Sequence, residues 1–139
     1  MKKQLKQIVA FILICFVFAG CSSVNQQMDL WENATYTTDT NLGDGNITLY
    51  LTVEAQDKSV CFTIKTNENI VGEALKEHNL ISGEQGAYGL YVKNVNGIAA
   101  DYNTDKSYWS FNKNGVYMST GVDVTEFADG DKFELVYTK

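Results

Sequence analysis

The sequence predicts an α+β fold, a mixed sheet with one helix packed across it. Three observations predict it. Apolar and polar residues alternate with period two through most of the chain, most cleanly at residues 47–53 and 133–137. One stretch, around residues 70–78, switches to helical spacing. Proline is absent, so turns fall to Gly, Asn and Asp, and Asn-Gly or Asp-Gly pairs stand between the alternating runs.

The chain opens on a segment that reads as a leader. Lys2, Lys3 and Lys6 make a basic start, and residues 8–19 form an apolar run too short for a comfortable membrane span. It ends in Phe18-Ala19-Gly20-Cys21, a bacterial lipoprotein cleavage box. The expected division is a lipoprotein signal peptide at 1–20, a lipidated Cys21 with a short polar tether at 21–28, and one domain at 29–139. The expected location is the extracytoplasmic face of the cell membrane, held by lipid at Cys21. Cys15 then leaves with the signal and only Cys61 remains. No disulfide can form within the mature chain, and Cys61 reads as a half-buried strand residue.

The domain follows in order. Leu30-Trp31 and Ala34–Thr37 suggest a short edge strand, and Gly43-Asp44-Gly45-Asn46 a turn. Ile47, Leu49, Leu51 and Val53 share one strand face. Val60, Phe62 and Ile64 share the face of the returning strand, across a polar connection at residues 56–58. Ile70, Val71, Ala74, Leu75 and His78 define a helix of about ten residues, with Thr66, Asn67 and Asn69 as candidate caps. A helix this short is held by packing on the sheet. Residues 84–87 read as a loop, 88–95 as a strand ending at Asn96-Gly97, and 103–106 as a second loop. Tyr108-Trp109-Ser110-Phe111, Val116-Tyr117-Met118 and Gly121-Val122-Asp123-Val124 read as strands between tight turns, and Phe133, Leu135 and Tyr137 face one way on the last. Hairpin, helix, then further strands is the order of a β-grasp.

Charge and composition exclude several functions. All eleven basic residues are Lys, and three lie in the leader. Eight Lys against 17 acidic residues leave the mature chain at a formal charge of −9. That repels nucleic acid and anionic head groups. No catalytic constellation is present, so no enzyme is expected: the sole histidine, His78, sits at the end of the helix, and no serine lies in a Gly-x-Ser-x-Gly elbow. Asp129 and Asp131 flank Gly130 without the ligand spacing of a calcium loop. No metal site is expected. Binding is better supported. Tyr88, Tyr91, Tyr102, Tyr108, Trp109, Phe111 and Tyr117 crowd the second half, and aromatic faces suit a flat, partly apolar ligand. Some of them can equally be core.

Gly72-Glu73-Ala74-Leu75, Gly89-Leu90-Tyr91-Val92, Val95-Asn96-Gly97-Ile98-Ala99, Tyr108-Trp109-Ser110-Phe111 and Met118-Ser119-Thr120-Gly121-Val122-Asp123 carry a resemblance. Together they resemble the bacterial family related to the C-terminal β-domain of transcobalamin and intrinsic factor, over residues 29–139. The resemblance implies a β-grasp-like fold and contact with one face of a corrinoid such as cobalamin. It places that contact on Tyr91, Trp109, Phe111 and Met118. The animal carriers close the site with a helical barrel that has no counterpart in this sequence. The resemblance therefore implies either weak binding by the β-domain alone or a partner protein that completes the site. The alternative is a surface module that docks a protein with the same aromatics and takes no small molecule. His78 is a further candidate, as a ligand to cobalt.

Overall fold

The computed structural model describes residues 27–139; the leader at 1–20 and Cys21 lie outside the described residues. A 3-10 turn, Leu30–Asn33, precedes strands β1 (Thr40–Gly43), β2 (Ile47–Ala55) and β3 (Lys58–Thr66). Helix α1 (Val71–Lys76) leads to β4 (Ile81–Gly86), β5 (Gly89–Val95) and β6 (Ile98–Ala99). After α2 (Tyr102–Asp105) come β7 (Tyr108–Lys113) and β8 (Val116–Tyr117), a 3-10 turn at Val122–Val124, and β9 (Lys132–Thr138).

The expected single sheet is two sheets. The larger has six strands in the order β1-β3-β2-β9-β7-β8, and β4-β5-β6 form a second, antiparallel one. The larger sheet is mixed, as expected. β2 runs parallel to β9 and β1 parallel to β3, while the other pairs are antiparallel. Leu49, Leu51, Val53, Val60, Phe62, Ile64, Phe133 and Leu135 are buried on one face. They join Val71, Ala74 and Leu75 of α1 and Ile81, Val92 and Val95 of the small sheet in one core. Alternation in β2 and β3 thus reads out directly as burial. The other face is polar, and Cys61 lies there, exposed beside Thr52, not half-buried.

Local chemistry sets the turns. Asn96-Gly97 has φ of 53° and 82°, and Asn114-Gly115 has 51° and 77°, both residues left-handed as a two-residue hairpin turn requires. The first of these turns is also a tertiary contact. Asn96 is buried, accepts from the Tyr36 N–H at 2.9 Å and donates to the Tyr36 carbonyl at 2.8 Å.

Several expected elements differ. The helix has six residues and starts at Val71 with Ile70 as its cap, without a side-chain cap bond. Ile70 is held extended by a bridge to Glu126, and the Asn67 amide oxygen is taken by Asn46, so neither can begin a turn earlier. The Thr66 hydroxyl donates to Glu77 and accepts from Glu68 N–H. The chain leaves the helix with Asn79 left-handed, Leu80 N–H bound to the Leu75 carbonyl and Asn79 N–H to the Lys76 carbonyl. Leu30-Trp31 forms a 3-10 turn capped by Asp29, not an edge strand, because the Trp31 indole donates to the Ala55 carbonyl and folds the segment over the sheet end. Asp29, also ion-paired with Lys58 at 2.9 Å, belongs to the fold. Residues 84–87 are not a loop: β4 runs to Gly86, because Ile81 anchors it and β5 supplies its hydrogen bonds. Residues 102–105 form α2, capped by the Asp101 carboxylate. Val122–Val124 coils as a 3-10 turn where a strand was expected, since Thr125 binds back to the Gly121 carbonyl at 2.7 Å.

Candidate functional site

The site forms where the two sheets part. β7 turns Trp109 and Phe111 inward, each 7% exposed. Trp109 meets Tyr137 edge-on with ring centroids 5.6 Å apart, and Phe111 stacks on Phe133 at 5.4 Å. Both rings are therefore anchored from below by β9. β5 lies opposite and brings Leu90, Tyr91 and Val92. From β8 the chain supplies Tyr117, and Met118 N–H extends the pairing by bonding the Phe111 carbonyl at 2.9 Å. Residues 119–122 close the far side.

These elements enclose a cavity of about 280 Å³. Tyr91, Trp109, Phe111 and Met118, the four residues singled out from sequence, all line it. The aromatics divide as the strand pleat dictates. Trp109 and Phe111 form the floor, while Tyr88, Tyr91, Tyr108 and Tyr117 are exposed around it. Tyr88, at the tip of the β4–β5 hairpin, is fully exposed. A shallower hollow of about 430 Å³, walled by Tyr102, Asp101 and Asn103, adjoins through Tyr91 and Tyr108.

No charged side chain lines the cavity itself. One lies just behind it. The Asp123 carboxylate accepts from Leu90 N–H at 3.0 Å, and its other oxygen is buried without a partner. A Cβ on Gly89 or Gly121 would stand within 3 Å of that carboxylate, so glycine at both positions is what lets it in. Gly72 does the same for the backbone at Val122 and Asp123, which packs 3.1 Å from where its Cβ would be. Leu90, Val122 and Asp123 were not legible as site residues. The only sequence signal was the pair of glycines beside them. The indole Nε1 of Trp109 is also buried without a partner in the protein.

Other candidates fall elsewhere. His78 borders a separate polar hollow with Gly43, Asp44, Lys65 and Glu77, so it does not share the cavity with Trp109. Asp129 accepts from Thr48 N–H at 2.7 Å, and Asp131 from Lys113 and Ala128 N–H. Both staple a turn. The Ala128 amide and then the Lys113 ammonium hold the Asp131 carboxyl below its usual range. Among the described residues no group of three or more His, Cys, Asp or Glu could hold a metal ion. A larger hollow, about 520 Å³, lies by Trp31 and Val60, where Lys58 pairs with Asp29 and the Trp31 indole with the Ala55 carbonyl.

The model of one family, described as "Domain of unknown function (DUF4430)", matches residues 68–139. That span holds every residue lining the cavity. Among solved structures, a Ruminococcus gnavus ATCC 29149 protein proposed to bind metal is 32% identical, with a TM-score of 0.64 over 68% of this chain and 98% of that one. Haptocorrin in complex with Cbi superposes with a TM-score of 0.54 at 21% identity, over 70% of this chain and 27% of that one. At that identity the likeness is one of fold, and this chain corresponds to about a quarter of the haptocorrin chain. No protein of curated function matches the sequence.

Proposed function

The chain belongs to the DUF4430 family of domains of unknown function, and from that premise we propose that it is a ligand-binding lipoprotein of the extracytoplasmic membrane face, taking cobalamin or another corrinoid at the cavity between β5 and β7. The carrying observation is the convergence on one cavity of Tyr91 from β5 in the small sheet, Trp109 and Phe111 from β7 in the larger one, and Met118 just after β8. The mixed larger sheet, with β2 parallel to β9, and the fold shared with haptocorrin, solved with Cbi, support the same reading. The residues fit part of such a ligand. A cavity of about 280 Å³ with an aromatic floor accepts the edge of a flat macrocycle and leaves the rest outside, rimmed by tyrosines. A partner protein then covers the exposed side. The lining also offers the hydroxyls of Ser119 and Thr120 as hydrogen-bonding groups for a ligand. Anchoring through Cys21 rests on the cleavage box alone.

A second reading, a protein-docking module, is favoured by one observation: Tyr88 and Tyr117 are 100% and 70% exposed at the cavity rim. Calorimetric titration with cobalamin and cobinamide separates the two. Saturable heat, lost when Trp109 and Phe111 are both changed to Ala, is the expected result. No heat at millimolar ligand overturns the corrinoid reading in favour of docking.

A further inference from the structure

The hollow of about 430 Å³ beside the cavity gathers three tyrosines from three elements: Tyr91 from β5, Tyr102 from α2 and Tyr108 from the start of β7. They are 42%, 49% and 36% exposed, so a molecule in solution can reach all three rings. Tyr102 meets Tyr108 edge-on with centroids 6.5 Å apart, which holds the two rings at an angle instead of stacked on each other. Asp101 and Asn103 complete the wall. The Asp101 carboxylate accepts from Asn103 N–H at 3.0 Å and so closes the start of α2 itself. Its second oxygen and the Asn103 side-chain amide make no hydrogen bond to the described residues. A carboxylate oxygen is an acceptor, and a primary amide brings two donors and an acceptor.

We propose that this hollow binds a neutral sugar, as a pyranose ring. A pyranose has an apolar C–H face and a rim of hydroxyls, each both donor and acceptor. The tyrosine rings take the face, and Asp101 and Asn103 take the hydroxyls. Charge argues against an ion. The Lys106 ammonium already lies 4.7 Å from the centre of the Tyr102 ring, so an incoming cation meets a like charge there. An anion meets Asp101, and the nearby Lys93 ammonium is already paired with Glu84 at 3.0 Å. The bond to Glu84, with Asp101 adding its charge, holds Lys93 above its ordinary range. A volume of about 430 Å³ lies within the span of small-molecule sites, ~300–1,000 Å³. The inference goes beyond the corrinoid reading and does not rest on it, because Asp101, Tyr102 and Asn103 do not line the cavity between β5 and β7.

The test is a titration of the purified full chain, 13C-labelled in the tyrosine rings, with cellotetraose, mannotetraose and galactotetraose, and separately with tetramethylammonium. At least one of the sugars is expected to move the Tyr91, Tyr102 and Tyr108 resonances saturably. Tyr50, equally exposed on the polar face of the larger sheet, is expected to stay in place. Tyr102→Ala is expected to weaken that sugar about tenfold. Asn103→Ala is expected to weaken it several-fold with all three rings in place. Both side chains are exposed, and Asp101 is left unaltered because it caps α2. No movement with any of the three sugars at tens of millimolar overturns the proposal. So does a shift of Tyr50 in parallel, which marks indiscriminate stacking on tyrosine. Tetramethylammonium binding more tightly than every sugar overturns the neutral ligand and makes the hollow a cation cage. Should a variant fail to fold, the resonance shifts in the unaltered protein decide the matter.

Discussion

The β2–β3 and β4–β5 hairpins are the same local object with opposite fates. Each is an antiparallel pair joined by a two-residue turn. In the first, Leu49, Leu51, Val53, Val60, Phe62 and Ile64 are all but fully buried. In the second, β4 is exposed at every position after Ile81, and Tyr88 at its tip touches nothing that hides it from water. The difference lies in the neighbours. β2 and β3 sit inside a six-stranded sheet under α1 and the small sheet, whereas β4 is an edge. A hairpin in the interior builds the core, and a hairpin at the margin is free to carry side chains for a ligand.

Three changes break or sharpen that contrast. The largest effect belongs to the buried hairpin. Phe62→Ala removes a ring packed edge-on to Tyr36 and leaves a cavity in the centre of the core. It is expected to cost about 3–5 kcal/mol, seen as a lower urea midpoint with cooperative loss of all structure. The marginal hairpin is next. Gly83 sits at a register shift in β4, and a Cβ there would overlap the Tyr91 carbonyl oxygen. Gly83→Ala is expected to cost roughly 1–3 kcal/mol and to disturb ligand binding more than its stability loss suggests, because Tyr91 walls the cavity. Equal losses of stability in both variants, with binding untouched in the second, would erase the distinction between core and rim.

The smallest effect is acid sensitivity. The Asp131 carboxyl is held below its ordinary value by Ala128 N–H and Lys113. A depressed folded value means its contribution is complete above the unfolded carboxylate range, near 3.9, and disappears as pH falls through the folded value. Asp131→Asn is expected to flatten the decline of the urea midpoint between pH 5 and 2. The cavity lining holds no carboxylate, so ligand affinity is expected to be flat through pH 5 to 7 while the turn is intact. An affinity that falls steeply over that interval would place an ionised group in the site.

Much of the fold was legible because β2, β3 and β9 bury one face only. There a period of two in sequence is a direct record of burial. The Asn-Gly turns at 96–97 and 114–115 were legible for a local reason too, since both residues must adopt positive φ. β4 was missed because an edge strand with Ser, Gly, Glu and Gln carries no apolar pattern; its hydrogen bonds come from β5, not from its own residues. The helix was read too long because Ile70 has the right spacing but is held extended by Glu126, a residue 56 positions away. Of the site, Trp109 and Phe111 stood out by their size and Tyr91 and Met118 through resemblance. Asp123 and Leu90 did not, because a carboxylate bonded to a backbone amide of another sheet leaves no mark in sequence spacing.

By itself the sequence determined what short-range physics controls: strand faces, left-handed turns and a net negative charge. Only the tertiary structure decided that the strands part into two sheets, that the aromatics divide into a buried floor and an exposed rim, and that one indole finds a backbone partner while the other does not. Each of those outcomes depends on contacts between segments distant along the chain, and the geometry of such contacts is set by packing, which no local pattern records.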